Sequence, residues 1–267
     1  MRLFIVVILF TNVSLYASIF PTYNGARVTG LSNTVVSNNN HWSLYSNPAL
    51  LSQSQESSVG ISVKNRFGVS DLNSAAFGSN FKTKQGHFGM AFSHYGITDF
   101  NRQNVCLGFG RQFSDFFIGA SGHYLNTQIS NSSTSSALFL NIGLAFNFSS
   151  NFMVSLSAQN INRARFNKIP EARLESNYIL GIKYEASKEL NLFVEVDHGL
   201  ELENTIGKFA LEYLLSDDFF VLAGAATDED VFSFGLFYVN SKWDGGMALN
   251  YNQYLGFSPT LSVSYKI

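Results

Sequence analysis

The stretch Leu138-Phe139-Leu140-Asn141-Ile142-Gly143-Leu144-Ala145-Phe146-Asn147 decides the fold. Its even positions are large and apolar, while its odd positions after Phe139 are small or polar. That period of two belongs to a β-strand with one face in apolar surroundings. The same grammar recurs along the chain. It runs through Ile61, Val63 and Phe67, through Phe88, Met90 and Phe92, and through Val105, Leu107 and Phe109. Further on it appears at Tyr178, Leu180, Ile182 and Tyr184, then at Leu192, Val194 and Val196, and at Phe209, Leu211 and Tyr213. Phe232 to Tyr238, Met247 to Tyr251 and Leu261 to Ile267 complete the strong segments. Weaker strands near 73–82, 116–128, 152–160 and 219–226 bring the total to about 14, an even number of roughly ten-residue spans, as single-chain outer-membrane barrels require.

Composition points the same way. The 267 residues are 46% hydrophobic and 15% aromatic, yet only 13% are charged, about half the usual share of a soluble domain. Apolar side chains therefore face something other than water. Beyond the N-terminus no run of about 18 apolar residues exists, which excludes helical spans and leaves strands. Strands in hydrocarbon must close into a barrel, because an open edge would leave backbone groups unpaired. A secreted β-sandwich also alternates, but its second face would carry Lys, Glu and Thr. Here that face holds Gly108, Gly110, Gly119, Ser121, Ser155, Ser157, Gly181, Gly235, Asn250 and Asn252. The fold class expected is all-β, a transmembrane antiparallel β-barrel.

The N-terminus sets the compartment. Arg2, the apolar run Leu3 to Phe10 and the small residue Ala17 read as a signal peptide over residues 1–17. Tight turns at 82–86, 113–115, 149–151, 187–189, 216–218 and 241–245 alternate with connections of more varied length, notably 127–135 and 161–176. Short periplasmic turns and longer outer loops place both termini in the periplasm of a bacterial outer membrane.

Residues 18–56 show no alternation, and the polar cluster at 37–40 favours turns. Trp42, Leu44, Tyr45, Leu50 and Leu51 argue against a solvated tail. A barrel of this size has a lumen too wide for small side chains to fill, so the segment is expected inside it as a plug, or hatch, ahead of a barrel over residues 57–267. The small residues of the inner face would then let the plug backbone approach closely.

Two groups of residues carry a family resemblance. Gly25-Ala26-Arg27, Gly30 and Ser46-Asn47-Pro48-Ala49-Leu50-Leu51 resemble the N-terminal pattern of the FadL-like outer-membrane barrels, in particular the PorV and PorQ branch linked to type IX secretion. Ala158-Gln159-Asn160-Ile161, Ile169-Pro170 and Leu180-Gly181-Ile182-Lys183-Tyr184 are similar to that branch's layout across its longest middle loop. The resemblance implies fourteen strands with an N-terminal hatch, and an accessory or partner-binding role in a secretion or surface-display machine. Secretion-channel proteins or exported cargo would then be the partners, beside outer-membrane lipid. The competing class is a FadL-like passive transporter of small hydrophobic solutes. The loop 161–176 reads as polar and basic, with Arg163, Arg165, Lys168 and Arg173 around Pro170, which favours the accessory role.

Charges of lumen parity form a second candidate site: Lys64 and Arg66, Lys183 and Glu185, Glu195 and Asp197, Lys208 and Glu212, with Arg27 as the plug's partner. The set reads either as a polar lining that binds a solute or gates the plug, or as a neutralising network between plug and wall, and the interleaving of both signs favours the network. Chemistry is not indicated. The five histidines are scattered without metal-ligand spacing, Cys106 has no visible activating partner, and no Ser, His and acid set can be assembled. No catalytic residue, metal or cofactor is expected, and the formal charge of −2 offers no field for nucleic acid.

Overall fold

The computed structural model describes residues 24–130, 134–227 and 230–267; the expected signal peptide lies outside them. Seven strands precede the middle loop: β1 (Ser58–Asn65), β2 (Asn73–Lys82), β3 (His87–Gly96), β4 (Phe100–Phe113), β5 (Phe116–Ile129), β6 (Ser135–Ser149) and β7 (Phe152–Ala158). The loop holds a small hairpin, β8 (Arg165–Phe166) and β9 (Ile169–Arg173). Seven more strands follow: β10 (Asn177–Glu185), β11 (Leu190–Gly199), β12 (Thr205–Ser216), β13 (Phe219–Ala226), β14 (Asp230–Val239), β15 (Trp243–Asn252) and β16 (Gly256–Lys266).

Apart from the hairpin, these strands pair antiparallel with their chain neighbours, β7 with β10, and the sheet closes through β1 and β16. Val59 lies opposite Tyr265, Ile61 opposite Val263 and Val63 opposite Leu261 across the closing seam. The barrel has fourteen strands, so no edge is left to hydrocarbon.

Alternation sorts the faces as the sequence requires. In β6, Leu138 is 63% exposed and Phe139 only 2%. The outward set is an apolar belt: Ile61, Met90, Leu107, Leu140, Leu156, Val194, Phe209, Phe234, Met247 and Leu261 all face away from the lumen. Aromatic cross-strand pairs lie at the end that carries the C-terminus. Phe88 meets Phe109 at 4.8 Å, Phe219 meets Tyr238 at 4.9 Å, and Trp243 meets Tyr265 at 4.8 Å between ring centroids. At the outer end Tyr251 meets Phe257 at 5.1 Å. Aromatic pairs at both ends of an apolar belt match a bilayer's two interfaces.

The short turns fall where the sequence places them. Most outer connections are also short, and one stands out: residues 159–176 between β7 and β10, which contain the hairpin.

Candidate functional site

The lumen is occupied by the chain's own N-terminal segment. Residues Asn24 to Gln53 run as a short helix, α1 (Gly25–Gly30), followed by three 3-10 turns at Val35–Ser37, His41–Tyr45 and Pro48–Gln53. Most of these residues are buried.

Each expected motif residue has a physical task. Gly25 has φ +69°, and a Cβ there would collide with the Trp42 indole. Ala26 donates its N–H to Ser262 Oγ of β16 at 2.8 Å. Gly30 lies against Leu222 and Gly235, where a side chain would not fit. Asn47 caps the third turn: its Oδ1 accepts from Ala49 N at 3.1 Å, and Pro48 follows at the first helical position. Its Nδ2 donates to Leu156 O of β7 at 3.1 Å and to Leu144 O of β6 at 3.4 Å. The same short sequence therefore starts a turn and ties it to the wall. Ala49 is fully buried, with the Pro48–Ala49 backbone against Gly119 of β5.

Two glutamates on neighbouring strands hold the first half of the segment. Glu212 of β12 receives Arg27 through both carboxylate oxygens, with Nε at 2.6 Å and Nη2 at 2.8 Å. Planar guanidinium and carboxylate forks match in this way, which fixes direction as well as charge. Asn191 Nδ2 also donates to Glu212, at 3.0 Å. Glu195 of β11 accepts from the backbone N–H groups of Val35 at 2.6 Å and Val36 at 3.2 Å. These open a helical turn, where donors lack internal partners. Lys208 donates to Glu195 Oε1 at 2.9 Å and to Asn33 O at 3.3 Å, with Asp197 Oδ2 at 3.6 Å.

The rest of the expected network divides. Lys64 donates to Asn250 Oδ1 at 3.2 Å. Lys183 and Glu185 pair with each other at 2.7 Å at the end that carries the C-terminus. Arg66 departs from the expectation. β1 stops at Asn65, so Arg66 loses lumen parity and lies over the Phe67 ring at 5.1 Å.

The outer mouth carries the largest difference from the sequence reading. The 161–176 loop is basic only on its exposed side, where Arg163, Arg165, Lys168 and Arg173 lie; the Pro170 side chain is outside the described set. Its other side is apolar. Ala164, Phe166 and Leu174 are buried against the inward-facing Leu125, Ala137 and Phe139. Asn160 makes this possible from a left-handed backbone at φ +53°. Its Oδ1 accepts from Ala164 N at 2.8 Å, and its Nδ2 donates to Leu174 O at 3.0 Å and to Ser176 Oγ at 3.1 Å.

Sequence reasoning also missed His123. Its Nε2 lies 3.0 Å from Ser121 Oγ, 3.1 Å from Asn141 Nδ2 and 3.5 Å from Cys106 Sγ, and its ring stacks on Phe139 at 4.4 Å. Ser121 in turn donates to Leu44 O at 3.0 Å. Asn104 Nδ2, not a carboxylate, faces His123 Nδ1 at 3.3 Å. A nucleophilic triad needs an acid at that place and access for substrate; both residues are buried, so the cluster serves as a tether for the Leu44 backbone. Among the described residues no group of three or more His, Cys, Asp or Glu could hold a metal ion. At the end that carries the C-terminus the segment leaves a cavity of about 450 Å³, lined by Arg27, His41, Glu56, Glu212, Asp244 and Lys266 among others.

No protein-family model matches the sequence, and no curated protein does. Solved structures resemble the fold. The toluene transporter TbuX of Ralstonia pickettii superposes with a TM-score of 0.66 at 9% identity, over 90% of this chain and 96% of that one. A Pseudomonas aeruginosa FadL homologue gives 0.63 at 10% identity, over 92% and 99%. The toluene transporter TodX of Pseudomonas putida gives 0.60 at 10% identity, over 83% and 92%. With the apolar belt and its aromatic pairs, this likeness establishes an outer-membrane β-barrel of the FadL type of fold.

Proposed function

We propose that the protein is a passive channel for small apolar solutes across the bacterial outer membrane, with the N-terminal segment as a plug that keeps the lumen closed to water and ions. The observation that carries this reading is the apolar outer mouth. Ala164, Phe166 and Leu174 of the loop meet Leu125, Ala137 and Phe139 of the wall, whereas the wall below is lined by Ser121, His123 and Asn141. The six apolar side chains are buried against one another, so the outer end is closed by an apolar seal; where the loop parts from the wall, it offers an apolar solute partners and gives a hydrated solute none to replace its water.

Likeness to barrels described as toluene transporters supports the same class of cargo. The accessory role in type IX secretion, with secretion channels or exported cargo as partners, is the alternative. Two of the neighbours in fold are described as toluene transporters, which favours the first reading.

Replacing Phe166 by Asp tests the mouth. In cells with an intact lipopolysaccharide leaflet, which resists apolar solutes, the protein should speed entry of radiolabelled toluene, and Phe166→Asp should slow it about tenfold, as expected for about 1.4 kcal/mol of lost apolar contact. Entry at the rate of cells lacking the protein would contradict the proposal.

A further inference from the structure

The hairpin β8–β9 belongs to the barrel wall as much as to a loop. β7 ends at Ala158, whereas β6 reaches Ser135 at the outer end. Along that uncovered edge of β6, residues 161–167 take the place of the missing strand. Ile161 N donates to Leu140 O at 2.9 Å, Asn162 Nδ2 to Leu138 O at 2.9 Å, and Asn167 N to Ser136 O at 2.9 Å. Leu140 N and Ser136 N donate to the side-chain oxygens of Asn162 and Asn167 at 3.0 and 2.9 Å.

This stitching fixes which face of the hairpin looks outward. Ala164, Phe166 and Leu174 point into the mouth. With a side-chain period of two, Arg165 and Arg173 stand on the opposite face, and both are exposed. They are also register partners, directly opposite each other. Like charges about 5 Å apart at Cβ oppose strand pairing, and no described ion pair relieves either one, nor the exposed Arg163 and Lys168. Against these four cations residues 161–174 carry one acid, Glu171, a net of +3 (4 − 1) on a chain whose total is −2.

Height on the barrel identifies what could settle that charge. Beside and below the hairpin the wall shows Leu138, Ile161 and Tyr178 to the exterior. An aromatic and apolar margin of this kind marks the level where hydrocarbon gives way to headgroups. Two guanidinium forks side by side at that level, facing sideways, fit an anion with several acceptor oxygens, and phosphate accepts bidentate Arg pairs. We propose that the outward face of β8–β9, with Arg165 and Arg173 at its centre, docks the phosphate groups of lipopolysaccharide in the surrounding outer leaflet. A phosphate between the two arginines turns their repulsion into charge-assisted hydrogen bonds and braces the hairpin that forms the mouth. This inference rests on the membrane placement and not on the solute reading.

The test uses the full-length barrel in detergent with lipid A as probe, its bound copies counted by native mass spectrometry. Phosphorylated lipid A should be retained at least about tenfold better than the same lipid stripped of phosphate, as expected if charged hydrogen bonds worth about 1.5 kcal/mol or more are lost. R165Q/R173Q should abolish that preference, and R165K/R173K should keep part of it. Heat-modifiable gel migration shows that each variant is a folded barrel. Equal retention of the two lipids, or undiminished preference in R165Q/R173Q, overturns the proposal. Full displacement of the lipid by inorganic phosphate at equal concentration also overturns it, because the site would then read free phosphate. Lipid retention is scored without solute uptake, so a failure here is distinct from a failure of the channel reading.

Discussion

Arg27 and Glu212, 185 residues apart in sequence, meet in the lumen through two hydrogen bonds of 2.6 and 2.8 Å. One belongs to the inner segment and the other to β12, and the Glu212 side chain is only 2% exposed. The pair is therefore a joint between the inner segment and the wall. Removing one member of such a buried pair leaves the other uncompensated, at a cost of about 3 kcal/mol.

Glu212→Gln should accordingly unseat the segment without opening the barrel. Ion conductance in planar bilayers should rise, and protease added to the side of the C-terminus should cut within residues 24–53. Conductance equal to that of the native chain would remove the joint from the account.

Glu195 holds the segment differently, by accepting backbone N–H groups of Val35 and Val36. Glu195→Gln keeps an acceptor oxygen but loses the charge facing Lys208, whereas Glu195→Lys loses both and sets two cations together. Conductance should rise modestly in the first variant and strongly in the second. Equal values in both would show that the charge, not the acceptor, carries the hold.

Small wall residues are a condition of the seating. A Cβ on Gly119 would collide with the Pro48–Ala49 backbone, which cannot rotate away, whereas a Cβ on Gly122 would meet only Leu140 at 3.6 Å. Gly119→Ala should therefore raise conductance and protease sensitivity, and Gly122→Ala should change neither. Matched effects in the two variants would contradict close packing as the cause.

The outer loop should respond to pH through Glu175, whose carboxyl accepts from the N–H groups of Glu201 and Leu202 at 3.1 and 3.2 Å. Burial, with the Glu201 and Asp197 charges adding to it, pushes its pKa above the ordinary carboxylate value, against the lowering effect of those N–H bonds. A raised carboxylate favours the folded loop when protonated. Its contribution is full in acid below the unfolded value and is lost as pH rises through the raised one. Hydrogen exchange of residues 161–174, corrected for its intrinsic pH dependence, should show more protection in mild acid than at neutral pH, and Glu175→Gln should flatten the difference. A native loop whose protection is the same at both would count against the effect.

The barrel was legible because alternation is a repeated local signal: Leu138 to Phe146 faces lipid and lumen in turn, as its sequence states. The inward packing of the segment was legible too, from Trp42 and the leucines that could not stay in water. The mouth was not, because its apolar face is assembled from Ala164, Phe166 and Leu174 on two arms of a bent hairpin, with no period to read. Arg66 was misplaced for a similar reason, since parity ends where β1 ends. Asn160 stood within a recognised motif, yet its role depends on the Leu174 carbonyl and the Ser176 hydroxyl, 14 and 16 residues away, which only the folded loop brings to it. His123 gave no signal at all, as its partners Ser121, Cys106 and Asn141 come from three strands.

The central claim is a lumen closed to hydrated solutes and open to apolar ones. Entry of toluene and of a small sugar, measured together in the same lipopolysaccharide-bearing cells with and without the protein, tests it most directly. The account predicts that the protein speeds toluene and leaves the sugar unchanged. A barrel that speeds both equally, or neither, contradicts it.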